Sequence, residues 1–156
     1  MTLDEYLRTG ETIILGSHTF TAAEIVRFAE KYDPQPFHLD EQAARRSVFG
    51  GLCASGWHTV AMWMRLNMLN EDALHRREWT GEGPAPEFGP SPGFRNLKWL
   101  KPVMAGDTIT YTRRVTGHRA LASRQGWRLM ELHSGGVNQN GEQVVEFDNA
   151  ALLRTG

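Results

Sequence analysis

The stretch KYDPQPFHLDEQAA, residues 31–44, sets a carboxylate, Asp33, five residues ahead of an imidazole, His38, and places a proline directly after both Asp33 and Gln35. A proline fixes its own φ and pushes the residue before it out of the α region, so Asp33 and Gln35 are held extended and the loop is stiff. A stiff loop loses little entropy in orienting its side chains, which suits an acid/base pair held across one small substrate or water. The structural alternative is an aspartate that closes the helix before it and a histidine that merely precedes the next one. Twelve residues after His38 comes Gly50-Gly51, read as the entrance to a helix. The first turn of a helix has unpaired N–H donors and the positive end of the dipole, and glycine lets a ligand approach them. The plain alternative is a tight loop-to-helix turn. An acid/base pair beside an anion receptor fits addition of water to a double bond conjugated with a carbonyl, where negative charge grows on the carbonyl oxygen.

Several elements must position these groups. ETIIL (11–15) reads as a strand, and TAAEIVRFAEKY (21–32) as an amphipathic helix with Thr21 as cap, Glu24 completing a capping box, and Ile25, Phe28 and Ala29 in one stripe. Pro34 and Pro36 stop that helix, and Asp40 is placed to cap one or two further turns. LCASGWHTVAMWMRLNML (52–69) has helical length but is apolar almost all round, with only Ser55, His58, Thr59 and Arg65 as a polar stripe. Such a helix has to be surrounded. Residues 80–93 hold four glycines and four prolines and read as an irregular loop. From Phe94 onward the period becomes two: FRNLKWL, DTITYTRRV, WRLMELHSGGV and EQVVEFDNAALL read as strands, the last two joined through the turn signal Asn140-Gly141. The expected architecture is α+β, one domain over residues 1–156, a curled antiparallel sheet around the apolar helix with loop 80–93 as an insertion.

Composition limits the function classes. The chain has 156 residues, 40% hydrophobic and 22% charged, with formal net charge −1 and no Lys/Arg run longer than two, which argues against a nucleic-acid partner. The longest apolar run, VAMWM, is far short of the ~20 residues of a membrane span, and acids stand where a signal peptide needs a basic start, so a cytoplasmic protein is expected. Cys53, the only cysteine, excludes an intrachain disulfide and reads as an inert buried thiol. His58 reads as a satisfied core histidine. His18, His75, His118 and His133 share no ligand spacing, so no metal site is expected.

Four segments, FAEKYDPQPFHLDEQAA, FGGLCASGWHT, FRNLKWLKPVMAGDTI and VNQNGEQVVEF, resemble in that order the MaoC-like dehydratases, a hotdog-fold group that includes (R)-specific enoyl-CoA hydratases. The resemblance runs from about Thr19 to Leu153. It implies a hotdog fold, a homodimer or higher homo-oligomer, and an acyl chain entering near the subunit interface. It puts the hydratase pair on Asp33 and His38 and the oxyanion donor on the backbone N–H of Gly51, and Gly50, Phe37 and Trp57 are the expected substrate contacts. Tyr32, Gln35 and Gly50 stand where many of these hydratases have glycine, asparagine and histidine. The implied activity is reversible hydration of a trans-2-enoyl thioester to a (3R)-3-hydroxyacyl thioester, without a resident cofactor, coenzyme A being part of the substrate. Two other classes remain open: a hotdog thioesterase, in which a carboxylate turns water on the carbonyl carbon, and a non-catalytic acyl-CoA-binding module.

Overall fold

The computed structural model describes residues 1–156. Thr2 and Glu5 form a reciprocal capping box that starts α1 (Leu3–Leu7), a helix not expected from the sequence, which buries Tyr6 and Leu7. Strand β1 (Thr12–Thr19) follows, then α2 (Ala22–Tyr32), capped by Thr21 with Glu24 as expected. Two short helices, α3 (Pro36–Leu39) and α4 (Glu41–Arg45), lead to the central helix α5 (Gly56–Leu69). After a single 3-10 turn at Leu74–Arg76 the remaining elements are strands: β2 (Glu87–Phe88), β3 (Gly93–Trp99), β4 (Thr108–Ala120), β5 (Trp127–Val137) and β6 (Gln143–Arg154). Loop 80–93 is therefore not wholly irregular, because Glu87 and Phe88 pair with Arg154 and Leu153 at the end of β6.

All pairings are antiparallel, in the order β1-β4-β5-β6, with β3 and β2 following one another along the outer edge of β6. Register breaks at Gly16, between Val115 and Gly117, and between Arg95 and Lys98 add twist and let the long strands curl. Ile109, Tyr111 and Val115 alternate inward along β4; Ile109 and Tyr111 join the core that packs α5, and Val115 joins a second cluster with Tyr6 and Leu7 of α1. Tyr111 Oη donates to the Thr59 carbonyl at 2.7 Å and Trp63 Nε1 to the Thr112 carbonyl at 3.1 Å, so the helix is fastened to the sheet by polar contacts as well as by burial. The result is the hotdog arrangement, a sheet wrapped around one helix. No helix is long and apolar enough to cross a membrane.

Two expectations are corrected here. The central helix begins at Gly56 rather than Leu52, because residues 52–54 are drawn out against 103–105: Ala54 N–H bonds the Val103 carbonyl at 2.8 Å and Ala105 N–H the Leu52 carbonyl at 3.0 Å. Gly50-Gly51 consequently belongs to a turn ahead of an extended segment, with Gly50 at φ 70°, and does not open the helix. Second, the sheet wraps α5 but does not enclose it, and one face of the helix is left uncovered. Trp63 is buried, whereas Trp57, Met64 and Met68 remain about half exposed.

His58 is buried on α5, its ring stacked on Phe28 at 4.5 Å and met edge-on by Phe20 at 4.9 Å. Its Nδ1 has no hydrogen-bond partner, so it is not the satisfied histidine that the sequence suggests. Burial pushes its pKa down to about 4; the nearby Glu24 carboxylate opposes the shift and His18 adds to it. Between the unfolded value of ~6.5 and about 4, the unfolded chain binds the extra proton, so stability is full above that window and falls as pH drops through it. We expect the stability difference between pH 7 and pH 5, measured by urea denaturation, to shrink by ~1–2 kcal/mol in His58→Phe. An unchanged difference would place the acid sensitivity elsewhere.

Candidate active site

The two prolines keep the residues before them out of the helix, but only Gln35 is extended as expected; Asp33 has φ −156° and ψ 70°, and the Gln35 N–H turns back to the Asp33 carbonyl at 2.8 Å. Asp33 ends α2, its N–H bonding the Ala29 carbonyl at 2.9 Å, and Pro34 forbids another turn. Gln35 is extended and Pro36 takes the first position of α3, where its missing N–H is no loss, so a single helical turn carries His38 inward. His38 Nε2 comes to 3.3 Å from Asp33 Oδ2, both side chains being largely buried.

The other ring nitrogen decides the tautomer. His38 Nδ1 lies 2.6 Å from the Cys53 carbonyl oxygen, which can only accept, so Nδ1 carries the hydrogen and the neutral ring presents its lone pair from Nε2. Nε2 and Asp33 Oδ2 are then two acceptors facing one another. A hydrogen must lie between them, from water or substrate or on the ring itself. Asp33 is held from both sides, Oδ2 receiving Ser55 Oγ–H and Oδ1 receiving the Gln35 amide, each at 2.7 Å. Burial works against this carboxylate, but the bonds from Ser55 and Gln35 and the facing His38 outweigh it and hold its pKa below the ordinary value. Cys53 is a buried thiol pushed up to about 11, by burial first and then by Asp33, and is no nucleophile at neutral pH.

Ser55 occupies the N-cap of α5 but makes no side-chain cap bond. Its hydroxyl is turned to Asp33 instead. An N-cap serine normally satisfies a first-turn N–H. Here the first bond into the helix is Thr59 N–H to the Ser55 carbonyl at 3.1 Å, and the N–H groups of Gly56, Trp57 and His58 have no backbone partner. A single hydroxyl thus orients the carboxylate and leaves an anion receptor open beside it.

These groups face a cavity of about 510 Å³ whose lining includes Asp33, Phe37, His38, Gly56, Trp57 and Trp99. Gly56 is required there: a Cβ on it would fall within the Trp99 indole, which in turn meets Trp57 edge-on at 5.0 Å. Of the residues singled out from sequence, Asp33, His38, Phe37 and Trp57 are brought together, and Gly50 and Gly51 are not among the lining residues. Gly51 packs instead toward the Met104 side chain. Sequence reading missed Gly56 and Trp99, and gave Ser55, placed on the polar stripe, and Gln35, placed in the stiff loop, no part in the site. The Ser-Gly pair immediately before the helical run was a usable N-cap signal.

The family described as MaoC like domain matches residues 8–129. The chain is 38% identical over 158 residues to the uncharacterized protein YdeM of Bacillus subtilis, covering 99% of each. It superposes with a TM-score of 0.80 on a MaoC-like dehydratase from Rhodospirillum rubrum, 34% identical, over 100% of this chain and 98% of that one. The (R)-hydratase from A. caviae involved in PHA biosynthesis shares the fold, with a TM-score of 0.62 at 24% identity over 95% of this chain and 96% of that one. By a profile match over most of its length and a relative aligned end to end, this chain belongs to the MaoC-like dehydratase family.

Proposed function

We propose that the protein reversibly hydrates a trans-2-enoyl thioester, with coenzyme A as the thiol, to the (3R)-3-hydroxyacyl thioester. The observation that carries this reading is the pair of facing acceptors, His38 Nε2 and Asp33 Oδ2, opening on a cavity beside the unpaired donors of α5. One water can give a hydrogen to each. Its oxygen then adds to the β-carbon of the alkene while His38 Nε2, the free lone pair, takes the proton, and the same nitrogen returns it to the α-carbon. The new bonds are C–O and C–H; the O–H of water and the alkene π bond are lost. Asp33, the weaker base, stays ionised, holds the second hydrogen and stabilises the imidazolium that forms. Charge that develops on the thioester oxygen is met by the N–H of Gly56 rather than Gly51. Phe37 and Trp57 flank the substrate. The reading requires no resident cofactor and takes a homodimer as the working unit.

Crotonyl-CoA tests it. Loss of enoyl-thioester absorbance without free thiol is the expected result, and chiral chromatography of the hydrolysed product should give predominantly the 3R acid, because both groups lie on one loop and act on one face. Thiol release would instead identify a thioesterase, and predominantly 3S product would reverse the substrate's pose.

A further inference from the structure

A second cavity, of about 560 Å³, lies along α5 from Val60 to Met68. Neighbours in sequence line the two: Thr59 and Trp99 border the first, Val60 and Leu97 the second. Its walls are mainly apolar, yet they include Arg113, which is 2% exposed. Alternation along β4 turns Arg113 inward with Tyr111 and Val115 and leaves Arg114 outside. Arg113 Nη1 donates to Asn67 Oδ1 at 2.8 Å and Nη2 to the Asp72 carbonyl at 2.9 Å, both neutral acceptors. No carboxylate lies within 4.0 Å of it. The Asp72 side chain turns to Arg8 at 3.8 Å, while Arg8 and Arg77 add positive charge nearby. Burial is the main influence on its pKa, lowered to about 10; the Asp72 carboxylate, more than 4.0 Å away, opposes the shift and Arg8 and Arg77 add to it, and the group is still a cation at neutral pH. Buried cations are normally paired, and pinning the end of α5 needs hydrogen bonds but no charge.

We propose that this cavity receives the far end of the acyl chain and that Arg113 binds a terminal carboxylate there, so that the substrate is an ω-carboxy-2-enoyl thioester. The proposal deepens the hydratase reading and rests on it. A guanidinium has five N–H groups in a planar fork, and two are occupied, leaving donors for a carboxylate. Asn67 stands eleven residues along α5 from Gly56, ~16 Å at 1.5 Å per residue, the span of an extended chain of about a dozen carbons.

The test compares trans-2-dodecenoyl-CoA with its counterpart bearing a terminal carboxyl group. Wild-type kcat/KM should favour the carboxylated chain by ~10-fold or more, the scale of a hydrogen bond to a charged group. That ratio should collapse in Arg113→Gln and largely survive in Arg113→Lys, which also covers the case of a glutamine variant that fails to fold. Affinity for the two saturated thioesters, dodecanedioyl-CoA and dodecanoyl-CoA, is measured in parallel by calorimetry and needs no turnover. Tighter binding of the carboxylated thioester by a protein that hydrates neither chain would overturn the hydratase reading and leave this site standing. Equal affinity and equal kcat/KM for the two chains would overturn the site alone.

Discussion

Asp33→Asn and His38→Gln should each lower turnover of an enoyl-CoA by ~100-fold or more, the scale of removing a positioned acid or base. In Asp33→Asn the side chain keeps its size and one oxygen to accept from Ser55 or Gln35, but the charge facing His38 is gone and one acceptor becomes a donor. The water then loses an acceptor and the imidazolium its counter-charge. In His38→Gln the amide can still reach toward the Cys53 carbonyl, so the packing of α3 is preserved, but no atom on it can hold and return a proton. Both variants should melt cooperatively near the wild-type temperature, because neither introduces a cavity. Residual activity above a tenth of wild type in either one would remove the pair from the chemistry.

The second large effect isolates one backbone hydrogen. Ser55 has φ −55° and ψ 139°, the extended conformation that a following proline demands, and Gly56 is the first residue of α5, where proline is well tolerated. Gly56→Pro therefore deletes the proposed oxyanion donor without breaking a helical hydrogen bond. The obstacle is Trp99, whose indole occupies the space of any Cβ at that position, so the comparison belongs in a Trp99→Ala background. There, Gly56→Ala keeps the N–H and Gly56→Pro removes it. The proline protein should turn over ~100- to 1,000-fold more slowly than the alanine protein, about 2.7–4 kcal/mol of lost transition-state stabilisation. Similar kcat values in the two folded proteins would mean that the thioester oxygen is held elsewhere than at the start of α5.

Much of this protein is dictated locally. The Thr21-Glu24 capping box, the stops at Pro34 and Pro36 and the period-two runs after Phe94 lie within a few residues of the structures they specify, and α2, the loop between Asp33 and His38, and strands β3–β6 form accordingly. The stiff loop could be read as a device for orienting two side chains because proline acts on its own φ and on its immediate neighbour.

What the sequence did not decide depends on partners far along the chain. Residues 52–55 carry a helical pattern, yet segment 103–105 offers backbone partners that draw 52–54 out, and the helix start moves to Gly56. Ser55 looks like an ordinary cap until Asp33, twenty-two residues earlier, captures its hydroxyl. Arg113 sits in a run of alternating residues that marks an inward face but cannot show that a cation would be buried there against Asn67, forty-six residues away. Local periodicity reports which face of an element is turned inward, through the geometry of the helix and the strand. Which donor meets which acceptor on that face is set only when the sheet curls around the helix, because the hydrogen bonds that choose among local alternatives join segments whose separation no repeat or turn encodes.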